Sequence, residues 1–146
     1  MSQAVRAIII QDEKLLVMQR DKYGSKYFTL VGGGIDEGET PEQALLREVK
    51  EETGLSVTAQ ILVFKEELAT PYATQYIYLC DIVPGDKVAI GEATEEDKLN
   101  KLGVNIHAPM WVSKSAFSTL AFRTPQLQKA IIDALKKGFP AEVQNI

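Results

Sequence analysis

The first twenty residues alternate two apolar runs with a polar break. Residues 4–10 (AVRAIII) are β-branched and apolar, residues 14–20 (KLLVMQR) return the pattern, and Gln11-Asp12-Glu13 lies between them, which predicts a hairpin. Residues 21–26 are polar and contain Tyr23 and Gly24, which predicts a loop; residues 27–31 then make a short strand leading into Gly32-Gly33-Gly34. The next segment carries the strongest helix signals in the chain. Thr40 can cap, Pro41 suits the first turn, and Gln43 stands where a capping box needs it. Leu45, Leu46 and Val49 make an apolar stripe, and Gly54 supplies the stop.

Residues 60–68 and 75–83 read as two further strands around a loop at Thr70-Pro71, with a turn at Pro84-Gly85. Residues 86–109 are polar and weakly periodic and hold the acidic cluster Glu92, Glu95, Glu96 and Asp97; stretches of that length are usually functional or disordered. Residues 110–112 restore a short strand. Thr124 and Pro125 open a last helix that ends at Gly138, with Leu127, Ile131, Ala134 and Leu135 on the face expected to pack on a sheet. No repeat or linker divides the chain, so residues 1–146 are expected to form a single domain.

Composition removes several alternatives. A net charge of −4 and a pI near 5.1 argue against binding to long nucleic acids, which needs many Lys and Arg contacts to phosphates. A small anionic substrate stays compatible, because bound metal ions reverse local charge. No apolar stretch reaches the roughly 20 residues that span a bilayer, so no membrane partner and a cytoplasmic location are expected. Cys80, the single cysteine, lies in an apolar run and reads as a small buried hydrophobe.

Candidate chemistry sits on the capped helix. Glu48, Glu51 and Glu52, spaced by three and four, project into one arc, with the apolar stripe on an adjacent one. Three like charges repel unless a counter-charge joins them, and hard divalent cations want oxygen ligands. Taken alone the cluster reads more readily as a solvated acidic face than as a metal site. The glycine run before it allows close backbone approach and positive φ, and a helix N-terminus suits phosphate oxygens, so together they outline a phosphate-plus-metal site.

The stretch from Gly33 to Leu55 resembles the Nudix box, G-x5-E-x7-R-E-U-x-E-E-x-G-U with U aliphatic, at every fixed position. Seven fixed residues at about 5–7% usage each make a chance match roughly one in 10⁸ to 10⁹. The resemblance implies an α/β fold, a Nudix-type α/β/α sandwich with a central mixed β-sheet and the box as loop–helix–loop. It implies hydrolysis of a phosphoanhydride in a nucleoside diphosphate linked to another moiety: a nucleoside triphosphate, nucleotide sugar, ADP-ribose or dinucleoside polyphosphate. Magnesium would be the cofactor, with manganese as a substitute. Glu48, Glu51 and Glu52 would be metal ligands with the Gly32 carbonyl, Glu51 and Glu52 would serve catalysis, and Glu39 and Arg47 would support the box. Gly33, Gly34, Arg6, Arg20 and Phe28 would meet the substrate, the two arginines at its phosphates.

The base that activates water often lies outside the box in this family, which makes Glu92, Glu95 and Glu96 candidates, with Glu95 and Glu96 at about the expected distance along the chain. His107, the single histidine, is a weaker one. Tyr23, Tyr27, Phe28 or Tyr72 could stack on a base, although packing explains Tyr27 and Phe28 equally well. Phe28 and Val31 depart from the Trp and Pro frequent in the family. Pro71 and Tyr72 match the markers of two different substrate classes, so the substrate stays open. A Nudix-fold nucleotide-binding or regulatory module and a homodimer, common in the family, also stay open.

Overall fold

The computed structural model describes residues 2–68, 72–85, 88 and 105–146. In chain order the described elements are β1 (Ser2–Gln11), β2 (Lys14–Lys22), β3 (Ser25–Thr29), β4 (Val31–Gly34), α1 (Pro41–Thr53), β5 (Val57–Glu67), β6 (Tyr72–Ile82), β7 (Asn105–Ser113), α2 (Lys114–Phe117), α3 (Pro125–Lys137) and β8 (Gln144–Asn145).

Asp12 and Glu13 take φ of 52° and 63°, which closes the β1–β2 hairpin through two residues between Gln11 and Lys14. Tyr23 and Gly24 do the same at φ 51° and 86°, so the loop expected over residues 21–26 is instead a second tight hairpin, with Lys22 opposite Ser25. Asp21 Oδ1 accepts the Gly24 N–H at 3.1 Å and anchors that turn. The strand expected over residues 27–31 is broken at Leu30, where the chain leaves β2 and joins β1 as β4. The glycines expected as a loop are therefore strand β4, paired with Ala4, Val5 and Arg6. Residues 105–109, expected in the long polar segment, belong to β7, which pairs with β2 along nine positions. Neither α2 nor β8 was visible in the polarity pattern, being too short to show a period.

The strands form one network that opens into two leaves. The first is mixed, in the order β4-β1-β6-β5-β8, with β1 and β6 parallel. The second, β3-β2-β7, is antiparallel. Among the described residues, strand pairing joins them only at Ile10↔Leu15 and Gln11↔Lys14. Alternation along β1 divides the core: Val5, Ala7 and Ile9 pack with Ala44, Leu45 and Val49 of α1, while Ile8 packs with Leu127, Ile131 and Ala134 of α3. The mixed leaf thus lies between two helices, as expected, and each such Val, Leu or Ile side chain removed from water contributes roughly 1.5–3 kcal/mol.

The α1 stripe differs from its expected composition. Leu46 is 42% exposed, whereas Glu48 and Glu52 are only 8% and 3% exposed. At 100° per residue Glu48 and Glu52 fall beside Leu45 and Val49 rather than opposite them, so burying the apolar face takes two carboxylates with it.

Candidate active site

Arg47 is the hub of the helix and the segment that leads into it. Its guanidinium pairs at two points with Glu39, Nε to Oε2 at 2.8 Å and Nη2 to Oε1 at 2.9 Å. Nη1 donates to Glu48 Oε1 at 2.9 Å and Glu51 Oε2 at 3.4 Å, and Nη2 to the Gly34 carbonyl at 3.1 Å. Asp36 adds a contact at 3.4 Å, and its N–H donates to Glu39 at 2.8 Å. Five chain positions are thereby tied to one planar fork, an arrangement a lysine cannot reproduce. The Arg47 hydrogen bond, and after it the Asp36 N–H, hold the Glu39 carboxyl down to about 2. Glu39 in return makes the Arg47 proton harder to remove.

The helix itself is set by local chemistry. Thr40 Oγ1 accepts the Gln43 N–H and the Gln43 side chain accepts the Thr40 N–H, so the expected capping box is formed; Gly54 at φ 75° closes the other end. Above β4, Glu48 lies against the backbone of Gly33: a Cβ there would stand 2.7 Å from the carboxyl carbon and from both oxygens. Gly32 takes φ 148°, and a Cβ on it would run into the carbonyl oxygen of Val5.

As they stand, no three carboxylate, imidazole or thiol groups among the described residues are grouped closely enough to hold a metal ion. Arg47 instead engages Glu48 and Glu51. The donor set nevertheless suits a hard divalent cation: three carboxylates on one helix, two of them buried, beside a recess that only glycine leaves open.

A cavity of about 460 Å³ opens between the two leaves. Arg6 and Gln75 wall it from the first leaf, Arg20, Lys22, Tyr27 and Thr29 from the second, and Arg123, Thr124 and Leu127 from the approach to α3. Arg20 Nε and Thr29 Oγ1 are buried there without hydrogen-bond partners; they are the two such side-chain atoms among the described residues. Buried polar atoms are normally satisfied, so a pair of orphans in one cavity wall marks a place for a polar ligand. The Arg123 guanidinium lies 3.8 Å from the Tyr27 ring centroid and that of Arg20 lies 5.8 Å from it.

Behind the wall runs a polar relay. Arg6 Nε donates to Gln75 Oε1 at 2.8 Å and Gln75 Nε2 to Glu66 Oε1 at 3.2 Å, while the Thr124 hydroxyl donates to Glu66 Oε2. Thr124 Oγ1 also accepts the Leu127 N–H at 3.2 Å, capping α3. Glu66 is 1% exposed, and both its oxygens are engaged.

Of the residues singled out in the sequence, Gly32, Gly33, Gly34, Glu39, Arg47, Glu48, Glu51 and Glu52 come together around α1 and β4. Arg6 and Arg20 meet in the cavity. Phe28, expected at the substrate, packs against the core and pairs with Phe122 instead, leaving Tyr27 to line the cavity. His107 is buried opposite Arg20 on β7. Tyr23 is 78% exposed at its turn. Burial pushes the Cys80 thiol up to about 12, in keeping with a packing role. Glu92, Glu95 and Glu96 lie outside the described residues, as does the side chain of Tyr72. Lys22, Gln75, Arg123 and Thr124 of the wall, and Glu66 behind it, are not legible as site residues in the sequence; for the three on strands the one trace is a charged or polar residue on a face that is otherwise apolar. No helix among the described residues is long and apolar enough to cross a membrane.

The profile of the NUDIX domain matches residues 1–125. The chain is 34% identical over 99 residues to an ADP-ribose pyrophosphatase of Methanocaldococcus jannaschii, a match covering 64% of this chain and 59% of that protein. It is 34% identical over 74 residues to the NAD-capped RNA hydrolase NudC of Vibrio atlanticus, covering 51% of this chain and 28% of that one. The matched part thus spans less than two thirds of either relative's own length. Among solved structures, an ADP-ribose pyrophosphatase from Streptococcus suis superposes with a TM-score of 0.68 at 21% identity, covering 99% of this chain and 98% of the other. The E. coli ORF135 protein does so with 0.68 at 22%, covering 97% and 94%. With the box complete, its carboxylates gathered around Arg47 and the family profile matching most of its length, the chain belongs to the Nudix family.

Proposed function

We propose that the chain is a magnesium-dependent pyrophosphohydrolase, folded as one domain, that cleaves a phosphoanhydride in a nucleoside diphosphate linked to another moiety. The observation that carries this reading is the Glu48 carboxylate resting on the bare backbone of Gly33 while Arg47 grips it from the other side. Burying a carboxylate costs free energy unless a partner compensates it, and a second buried carboxylate, Glu52, lies one turn further on. The names of the relatives point the same way, two of them being an ADP-ribose pyrophosphatase and an RNA pyrophosphohydrolase.

Members of the family generally use divalent metals. Here Glu48, Glu51 and Glu52, with the Gly32 carbonyl, are the groups that would hold one, and manganese is the expected substitute. When bound, such an ion neutralises phosphate charge and lowers the pKa of water. Arg47 and Glu39 orient the carboxylates and hold the segment from Gly34 to Glu39 against the helix. Gly33 and Gly34 keep side chains away from the place where phosphate oxygens approach, and Arg6 and Arg20 offer positive charge to the substrate. Glu51, the most exposed of the three carboxylates at 40% of its side chain, and Glu95 and Glu96 are the groups assigned to proton transfer.

The test is nucleotide and phosphate release from nucleoside triphosphates, nucleotide sugars, ADP-ribose and dinucleoside polyphosphates, with magnesium and with EDTA. Cleavage of at least one class with magnesium, abolished by EDTA and by Glu52→Gln, is expected. A folded protein that cleaves none of them, or a Glu52→Gln variant that turns over normally, would overturn the assignment.

A further inference from the structure

We propose that the cavity between the leaves receives a phosphate of the substrate that lies outside the hydrolysed anhydride. This rests on the hydrolase reading and specifies its substrate class: a nucleotide derivative carrying an additional phosphate group.

No residue of the box, 33–55, lines the cavity. Along β1 the division is plain: Val5 and Ala7 face α1, whereas Arg6, one position between them, reaches into the cavity wall on the side of Gln75. A phosphate at Glu48 and a group in the cavity are therefore held by different residues.

The hydrogen-bonding inventory of the wall selects the group. Most acceptors are occupied: Gln75 Oε1 and the Leu30 carbonyl take the Arg6 guanidinium at 2.8 and 3.3 Å, and Thr124 Oγ1 both accepts from Leu127 and donates to Glu66. Donors are in surplus. Arg20, Lys22 and Arg123 have neither ion pair nor hydrogen-bond acceptor among the described residues, and Arg20 Nε is buried without a partner. Thr29 adds a buried hydroxyl that can donate. A purine edge or a ribose mixes N–H or O–H donors with its acceptors, and this wall has few free acceptors, chiefly the Thr29 and Tyr27 hydroxyls, to answer those donors; an unanswered buried donor weakens binding. A phosphate only accepts, and arginine forks match its geometry. The Tyr27 ring is also taken, with Arg123 on it at 3.8 Å, so it holds a guanidinium at the rim instead of stacking a base. Finally, a chain with a net charge of −4 places four cations and no acidic side chain among the described residues of this lining. That local reversal of charge is what an anionic guest requires.

The experiment uses pairs that differ by one phosphate remote from the anhydride: ADP-ribose and its 2′-phosphate, NADH and NADPH, dephospho-coenzyme A and coenzyme A. Rates with magnesium are set beside calorimetric binding of 5′-AMP and adenosine 3′,5′-bisphosphate without metal. The phosphorylated member is expected to lead by at least about tenfold in kcat/KM, mainly through KM, and the bisphosphate to bind correspondingly tighter. Arg123→Gln and the exposed Lys22→Gln should each bring both ratios toward one, and increasing salt should do the same. Equal rates within every pair from an active protein would overturn the inference and leave the hydrolase reading standing. Absence of hydrolysis alongside a clear preference for the bisphosphate would overturn the hydrolase reading and keep the cavity assignment. Equal binding of the two nucleotides would remove the cavity assignment whatever the rates.

Discussion

The α-carbon of Gly33 faces the Glu48 carboxylate so closely that a single methyl group would occupy the carboxylate's place. Gly33→Ala should leave the fold intact, since the obstructing group is the tip of a side chain that can swing away. It should displace that tip from the site. The expected result is a stability change within about 1 kcal/mol and a loss of roughly 10–100-fold in kcat/KM, the range seen when the surroundings of a metal ligand are disturbed. Thermal unfolding and steady-state rates on one preparation check both. Gly32→Ala is the contrasting variant: its Cβ meets the Val5 backbone, which cannot swing, at a φ that disfavours side chains. It should cost about 2–4 kcal/mol.

Arg47→Lys tests whether charge or shape matters at the hub. A lysine keeps the charge and forfeits the fork, so contacts to Glu39, Glu48, Glu51 and Gly34 cannot coexist. We expect a destabilisation of roughly 1–3 kcal/mol by urea unfolding, near that of Arg47→Met. A lysine variant as stable as the parent would show that charge suffices.

The Glu39 carboxyl, held near 2 by Arg47 and the Asp36 N–H, gives a pH dependence of definite sign. Its folded value lies below the unfolded 4.5, so its contribution is complete above 4.5 and is lost progressively as pH falls toward 2. The stability gap between the parent and Glu39→Gln should be constant from pH 8 to about pH 5.5 and should shrink below pH 4.5. Urea midpoints at pH 7 and pH 3 decide the matter; a gap that widens in acid would contradict the assignment.

Thr124 serves two partners through one hydroxyl, as cap of α3 and donor to Glu66. Thr124→Val should cost about 2 kcal/mol, combining a lost cap with a buried carboxylate oxygen left short of a donor, while Thr124→Ser should stay within about 1 kcal/mol. Chemical denaturation separates the two. Because Glu66 also steadies Gln75 and through it Arg6, the valine variant should raise KM more than it lowers kcat.

Cys80, 5% exposed with its thiol pushed up to about 12, should resist a thiol-disulfide reagent at pH 8 in the folded protein and react in full in guanidinium. Rapid labelling of the native state would mean that the β6 core opens easily.

Short-range chemistry explains what could be read from the chain alone. Thr40, Pro41, Gln43 and Gly54 act within one turn of themselves, so α1 and its carboxylates were legible in outline. Leu46, apolar on an amphipathic helix, is expected inside, but the rotation that buries Leu45 and Val49 carries Glu48 and Glu52 in with them instead. Gly32-Gly33-Gly34 reads as a loop because glycine disfavours strands, an inclination that pairing with β1 overrides. The relay from Arg6 through Gln75 and Glu66 to Thr124 was out of reach. Two of its three links span 69 and 58 positions, so only the tertiary fold brings them together.

Strand pairing between the two leaves is confined, among the described residues, to Ile10↔Leu15 and Gln11↔Lys14. The walls of the cavity are therefore hung like two doors from one short hinge, with Arg6 and Gln75 on one door and Arg20, Lys22 and Tyr27 on the other. Substitutions in the hinge alter the gape without touching any of the groups that line it. The girth of the admitted molecule can in this way drift across a lineage while the chemistry on α1 is inherited unchanged.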